Sequence, residues 1–205
     1  LPALNRKETP VDRGVRPPTG VVQKQVIKGV EPKSDVAIVF SGTFQNTPLN
    51  RLVMMTMGQM LSGNLHQTLR EDLGGTYGVS VDSRFSKLPR SEYQISVRFS
   101  CDPARVDQLT EAAWKVINDF AERGPSPEHV GNARSALERE AQIGFQENAD
   151  ILNELTTRIE NGEEYDDVFD PRPLQQQLTR ASLHAAAQQA LTKDRYVQVI
   201  RRPEK

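Results

Sequence analysis

The sequence is poor in the residues that build covalent or metal-stabilised scaffolds. Its 205 residues include one cysteine, Cys101, and three histidines, His66, His129 and His184. A single cysteine excludes an internal disulfide and a cysteine-rich metal cluster. Zinc needs three or four converging ligands, and no histidine here belongs to a His-Glu-x-x-His or His-x-x-Glu-His motif. We therefore predict that this chain binds no metal of its own.

Long hydrophobic runs and an excess of charge of one sign are also missing. The 26 basic and 27 acidic residues balance to a net charge of -1, which argues against a nucleic-acid partner or an anionic lipid surface. Residues Leu1 to Val15 are neither a signal peptide nor a membrane-spanning helix, so we expect no membrane insertion. Because the chain opens with Leu-Pro-Ala-Leu instead of Met, we expect a piece of a longer or processed product.

Signatures of nucleophilic catalysis and of phosphate binding are absent as well. The sequence has no Gly-x-Ser-x-Gly motif, and Cys101 ends a predicted strand, where an inert packing role is expected. The glycine-rich stretch from Gly74 to Gly78 lacks both the Gly-x-Gly-x-x-Gly spacing and a Gly-Lys-Ser/Thr ending. Nucleotide binding is therefore disfavoured.

Prolines define the organisation of the first part of the chain. They stand among charged residues at Pro2, Pro10, Pro17 and Pro18. Each proline removes a backbone donor and disfavours helix in the residue before it. We interpret residues 1–20 as an extended linker and residues 21–205 as one domain, whose 37% hydrophobic content can bury a sizeable core.

Hydrophobic periodicity predicts strands and helices in the rest of the chain. Segments rich in β-branched and aromatic residues predict strands over 21–27, 35–41, 77–85, 92–101 and 196–200. Apolar residues at three-to-four spacing predict a long helix over 49–73 with Asn46 or Thr47 as N-cap, a helix from Pro103 to Gly124, two helices over 127–161 with a break near Gly144 to Asn148, and a helix after Thr179.

The order of these elements indicates the fold class. Polar turns join the first two strands, through Glu31 to Ser34, and the next two, through Ser86 to Ser91, and helices separate these hairpins. Such an order favours an antiparallel sheet with helices packed on one face. We predict an α+β fold.

The stretch Leu69-Arg70-Glu71-Asp72-Leu73-Gly74-Gly75-Thr76-Tyr77-Gly78-Val79 is the most informative part of the sequence. It places a permanently charged guanidinium at a helix end and a phenol at the start of the next strand, across a glycine turn. Without further information, Arg70 could simply complement the helix dipole and Tyr77 could pack in a half-buried strand.

This stretch resembles the second-domain motif of the pitrilysin and insulinase family of zinc peptidases, in which Leu-Arg-Glu, Leu-Gly and Tyr-x-Val recur at the same spacing. The resemblance extends over roughly residues 20–202 and is greatest to the last domain of the long bacterial members. It implies that Arg70 and Tyr77 bind the substrate backbone and the developing oxyanion, with Gly74 and Gly75 as substrate-binding residues between them. It also implies that zinc is held by another domain of the parent protein.

The resemblance further implies a peptide substrate, a zinc-bearing partner domain in the same parent protein, and a periplasmic or exported location. On this view the isolated chain is inactive, and it contributes to a zinc metallopeptidase by closing a chamber over the substrate. Two alternatives stay open at this point. One is a catalytically inactive partner or assembly subunit of the same family, and the other is an unrelated module that binds a small ligand.

Overall fold

The computed structural model of the chain describes residues 10–144 and 148–204, and these form one sheet with helices beside it. The strands are β1 (Val21–Ile27), β2 (Ser34–Thr43), β3 (Thr76–Ser86), β4 (Glu92–Cys101) and β5 (Tyr196–Arg202). The α-helices are α1 (Pro48–His66), α2 (Val106–Arg123), α3 (Pro127–Gly144), α4 (Asn148–Asn161), α5 (Arg172–Gln176) and α6 (Arg180–Ala190). A π-helix (Gln67–Asp72) continues α1, and short 3₁₀ helices occupy Pro103–Arg105 and Asp166–Val168. None of the described helices is long and apolar enough to cross a membrane.

The strand order of the sheet is β1-β5-β2-β4-β3. Antiparallel pairing joins β5 to β2, β2 to β4 and β4 to β3, whereas β1 runs parallel to β5 at one edge. The α+β prediction is confirmed, but β1 and β2 do not form the expected hairpin. Residues 28–33 bridge two strand spacings of about 4.8 Å each, because β5 lies between the two strands.

The core lies between one face of the sheet and helices α1, α2 and α6. Alternate residues of β2 and β4 point into it and are at most 3% exposed, namely Val36, Ile38, Phe40, Ile95, Val97 and Phe99. The helices supply the opposite wall with Met57, Leu61, Leu65, Leu109, Ile117 and Leu183. Buried residues alternate with less buried ones along these strands, as expected when helices cover one face of a sheet. Cys101 is also buried, and burial raises the pKa of its thiol to about 11, as an inert packing role predicts.

Side-chain caps fix the starts of two helices. Thr47, and not Asn46, is the N-cap of α1, where its hydroxyl accepts a hydrogen bond from the backbone N–H of Asn50 at 3.2 Å. Thr179 caps α6 in a reciprocal pair with Ser182. Each cap satisfies backbone donors that have no partner inside the helix. The predicted break between α3 and α4 falls largely on residues 145–147, which lie outside the described residues.

The linker predicted for residues 1–20 is described only in part, since residues 1–9 lie outside the described residues. Residues 10–20 contain no helix or strand, and β1 begins at Val21. Arg16 pairs there with Asp12. The division into a linker and a domain that ends at residue 205 stays a prediction.

An ion-pair network ties α1 to the segment that follows α4. The guanidinium of Arg51 donates two hydrogen bonds to the carboxylate of Glu163, at 2.8 and 2.6 Å, and both side chains are only 10–12% exposed. Next to them, the nearly buried Arg158 donates to Glu154 at 2.6 Å and pairs with Asp167 at 3.1 Å. The hydrogen bonds from Arg51 hold the pKa of Glu163 below its usual value. The network therefore fixes the α4–α5 connection against the start of α1.

Candidate functional site

The helix that carries Arg70 changes its hydrogen-bond pattern before it ends. At its end, α1 widens into the π-helix Gln67–Asp72, and the N–H of Leu73 donates to the carbonyl of Thr68 at 3.1 Å, five residues back. Within it Leu69 is fully buried, whereas Arg70 is exposed. Single π-helical turns are rare and occur often at functional sites. The sequence pattern predicted only a continuous helix here.

Two glycines turn the chain from the π-helix toward β3. Gly74 has φ +54°, in the left-handed region that favours glycine. A Cβ on Gly75 would lie 2.6 Å from the fully buried side chain of Leu109 on α2, so this position is closely packed. Arg105 donates to the carbonyls of Leu73 at 3.0 Å and Gly74 at 3.4 Å, which caps the helix end. The glycine turn is therefore held against α2.

A β-bulge places Tyr77 at the start of β3. Thr76 pairs with Cys101 and Gly78 with Ser100, so Tyr77 is the extra residue on its strand. The hydroxyl of Thr76 lies 2.9 Å from the carbonyls of both Gly78 and Ser100, and it accepts from the Gly78 N–H at 3.0 Å. Bulges of this kind re-aim a side chain beside functional sites. Tyr77 is 74% exposed.

His66, which the sequence did not single out, contacts Arg70 directly. The distance between Arg70 Nη1 and His66 Nε2 is 3.0 Å, and His66 Nδ1 lies 3.6 Å from a carboxylate oxygen of Glu71. All three side chains are exposed or partly exposed at the end of α1. The spacing of four residues on a predicted helix is the only signal in the sequence that could have suggested this contact.

The predicted site residues thus share one turn, with Arg70 before it, Gly74 and Gly75 within it, and Tyr77 after it. Neither Arg70 nor Tyr77 is buried in the core. A guanidinium supplies fixed donors and a phenol supplies one directional O–H donor. The arrangement can therefore bind carbonyl oxygens or an anionic group, and its contact with a substrate stays a prediction.

Resident metal binding does not fit this site. In the described part of the chain, no group of three or more histidine, cysteine, aspartate or glutamate side chains could hold a metal ion. At the site itself, His66 is engaged by Arg70, and Glu71 is the carboxylate beside it. One histidine and one carboxylate do not complete the three or four ligands that zinc needs.

Residues 1–137 match the family described as the peptidase M16 inactive domain. The chain belongs to this family. The resemblance to zinc peptidases that the motif from Leu69 to Val79 suggested is therefore confirmed at the level of the M16 peptidases. It is the family's inactive, C-terminal type of domain that matches.

Two curated zinc proteases are similar to this M16 domain in sequence. The probable zinc protease PqqL of Haemophilus influenzae is 26% identical over 182 residues, which are 87% of this chain and 19% of that protein. A zinc protease PQQL-like protein of Arabidopsis thaliana is 30% identical over 97 residues, 45% of this chain and 10% of that protein. The chain thus spans a fifth or less of the length of these relatives.

Solved structures of larger M16 proteins contain the same fold. The periplasmic protease PqqL of Escherichia coli superposes with a TM-score of 0.80 at 18% identity, over 98% of this chain and 23% of that one. The ferredoxin protease FusC, solved as a mutant with Arabidopsis ferredoxin, gives 0.80 at 19% identity, over 91% and 21%. An M16 inactive domain from Pseudomonas fluorescens gives 0.75 at 20% identity, over 97% and 47%. The fold of this chain is that of an M16 peptidase domain.

Proposed function

We propose that this chain is the substrate-binding, chamber-closing domain of a zinc metalloendopeptidase, and that the zinc is held by another domain of the parent protein. The observation that carries the proposal is the pair of exposed side chains, Arg70 and Tyr77, at the two ends of one glycine turn. The turn is packed on α2, and the bulge at Thr76 holds the start of β3. Both side chains thus project from backbone that is fixed by tertiary contacts.

Peptide hydrolysis requires groups of this chemistry. Negative charge develops on the former carbonyl oxygen in the transition state, and prearranged donors aimed at that oxygen lower the barrier. Arg70 supplies a positive charge and several N–H donors, and Tyr77 can donate its O–H while keeping its ring against the substrate chain. We assign both residues to the substrate backbone and the developing oxyanion, with Gly74 and Gly75 as substrate-binding residues of the turn between them.

The partners follow from the same proposal. The matched solved proteases are several times longer than this chain, which supports a zinc-bearing domain in the same parent protein. The substrate is a peptide. Because one relative is described as a periplasmic protease, we place the parent protein in the periplasm or outside the cell.

Substitution of the two residues in the full-length parent protein tests this role. We expect Arg70→Ala and Tyr77→Phe each to lower kcat/KM for peptide hydrolysis by about 10–10³-fold, as loss of an oxyanion donor does. The fold should be unaffected, since both side chains are exposed. Steady-state kinetics with a fluorogenic peptide, and thermal unfolding of each variant, give the two readouts.

Two exposed residues far along the chain provide matched controls. Arg139→Ala on α3 and Tyr165→Phe before the 3₁₀ helix Asp166–Val168 remove the same chemical groups from exposed positions, and we expect them to leave kcat/KM unchanged. If the Arg70 and Tyr77 variants behaved like these controls, the proposed role would be wrong. A parent protein that hydrolyses no peptide even before substitution would instead favour an inactive partner subunit.

A further inference from the structure

We infer that His66 is a positioning residue that fixes the guanidinium of Arg70 for substrate binding, an inference that rests on the function proposed above. His66 is the last residue of α1, and its Nε2 lies 3.0 Å from Arg70 Nη1. Arg70 stands in the π-helix that follows. In the described part of the chain this is the one side-chain hydrogen bond of Arg70, so the orientation of the guanidinium depends on the imidazole.

The chemistry of the two groups determines which of them donates. Arginine has five N–H donors and no acceptor. His66 Nε2 must therefore accept from Arg70, which requires a neutral imidazole that carries its proton on Nδ1. This Nδ1–H faces the carboxylate of Glu71, with Nδ1 and Oε1 3.6 Å apart. This distance is too long for a hydrogen bond, but the negative charge of Glu71 beside Nδ1 favours the Nδ1–H tautomer.

The contact leaves most of the guanidinium available. His66 engages Nη1, and the Nε and Nη2 donors of this exposed residue make no side-chain hydrogen bond to the described residues. A mobile arginine loses up to about 2 kcal/mol of rotamer entropy when it is immobilised. With His66 holding one nitrogen, part of that entropy is already lost before substrate arrives. Such preorganisation strengthens binding without a new contact to the ligand.

The tautomer of His66 can be measured directly on this chain. We expect long-range ¹⁵N–¹H correlation spectra at mildly alkaline pH to show a protonated Nδ1 and an unprotonated Nε2 for His66. Arg70→Gln should shift both ring nitrogen signals of His66 and leave those of His129 unchanged. A His66 ring protonated on Nε2 and indifferent to Arg70→Gln would overturn the inference.

A double-mutant cycle in the full-length parent protein tests the catalytic consequence. We expect His66→Ala to lower kcat/KM by about three- to thirty-fold, and His66→Gln to retain most of the activity because its carboxamide oxygen accepts from the same guanidinium. In the Arg70→Ala background, His66→Ala should have no further effect. Thermal unfolding of each variant checks that the fold is retained.

The outcomes separate this inference from the proposed function. If Arg70→Ala lowers kcat/KM but His66→Ala does not, only the role of His66 is wrong. The same holds if His66→Ala lowers kcat/KM by the same factor in the presence and in the absence of Arg70. If Arg70→Ala has no effect, the proposed function falls, and the positioning role falls with it.

Discussion

Gly75 is where the glycine turn of the candidate site meets the core. Its nearest neighbours on α2 are the two methyl groups of Leu109, a residue that is fully buried. A side chain at Gly75 would therefore overlap with Leu109, and Leu109 could not move aside because protein interiors are densely packed. Gly75 thus allows the glycine turn to pack closely on α2. The position of the turn determines where the side chains of Arg70 and Tyr77 project.

We predict that Gly75→Ala destabilises the protein by about 1–3 kcal/mol, the usual cost of overpacking a core. The new Cβ would lie 2.6 Å from one methyl of Leu109 and 2.8 Å from the other. Gly63→Ala in α1 is the matched control, since a Cβ there meets nothing within 4 Å and alanine favours helix by about 1 kcal/mol over glycine. Urea unfolding should give opposite signs for the two variants, and equal signs would contradict the packing argument.

The sequence predicted which residues form the candidate site but not their contacts. Arg70, Gly74, Gly75 and Tyr77 were predicted from the resemblance of the stretch from Leu69 to Val79 to the zinc-peptidase motif. The local pattern alone left a helix-end role for Arg70 and a packing role for Tyr77 open. The contact between His66 and Arg70 depends on how the last turns of the helix are wound, and the sequence pattern does not define this. Gly75 was recognisable as a turn residue, whereas its packing against Leu109 joins residues that are distant in sequence.

At the scale of elements, the bulge in β3 depends on one hydroxyl. Thr76 holds the backbone of Gly78 and the carbonyl of Ser100. Removing the hydroxyl leaves partly buried backbone groups without this partner. The bulge, and with it the exposure of Tyr77, should then relax toward a regular strand.

We predict that Thr76→Val costs about 1–2 kcal/mol of stability and speeds hydrogen exchange of the Gly78 amide, which donates to the Thr76 hydroxyl. Thr76→Ser keeps the hydroxyl and should keep the protection of that amide. Amide exchange followed by NMR distinguishes the two variants. Equal protection of Gly78 in both would show that the hydroxyl does not hold the bulge.

The link between Arg51 and Glu163 makes stability depend on pH. The pKa of Glu163 is lowered in the folded state, chiefly by the hydrogen bonds from Arg51. A lowered carboxyl pKa contributes stability that is fully present above the unfolded value, near 4.5, and is lost as pH falls through the folded pKa. We predict that Glu163→Gln loses about 2–4 kcal/mol at neutral pH and has a weaker dependence on pH below 4.5.

Glu122→Gln is the matched control for this prediction. Glu122 pairs with Lys193 at 3.4 Å, and their side chains are 65% and 62% exposed. Exposed pairs of this kind contribute about 0–1 kcal/mol, so this variant should unfold almost like the unsubstituted protein. Urea unfolding at neutral and acid pH measures both variants. If Glu163→Gln and Glu122→Gln had the same free energy of unfolding at neutral pH, the Arg51–Glu163 ion pair would stabilise the fold no more than an exposed pair does.

Local sequence patterns predicted most of the helices and strands, and the elements that they missed have identifiable physical reasons. The alternation in β4 and the three-to-four spacing in α1 and α2 are strong because each element covers one face of the core. The π-helix was missed since its apolar spacing differs little from that of an α-helix over a single turn. The short helix α5 was not predicted, because it begins at the end of a segment rich in proline and aspartate, which are typical of turns.

At the scale of the whole molecule, β5 is the one strand of the described residues that pairs with β1. Its residues are mostly exposed, with Ile27 at 70% and Val21 at 48%. By contrast, β2 and β4 each have strands on both sides and bury one face in the core. Sequence patterns could not place β1, because strand order is decided by contacts between residues at opposite ends of the domain.

We predict that the amides of β1 exchange with solvent through local opening, well before those of β2 and β4. Few buried apolar contacts, and one pairing partner among the strands that the structure describes, give this edge a low free energy of opening. Native-state hydrogen exchange at low urea concentrations measures the opening free energy of each strand. If β1 were protected to the same degree as β2, the edge would be part of the global unfolding unit.

The position of β5 between β1 and β2 also has a consequence during translation. On the ribosome β1 emerges before the helices described above, but β5, its partner among the described strands, is made after all of them. Throughout that interval β1 is an unpaired strand that must not join another nascent chain. The polar run Gln23-Lys24-Gln25 at its centre is suited to this delay, because charge and amide groups on an edge discourage intermolecular association.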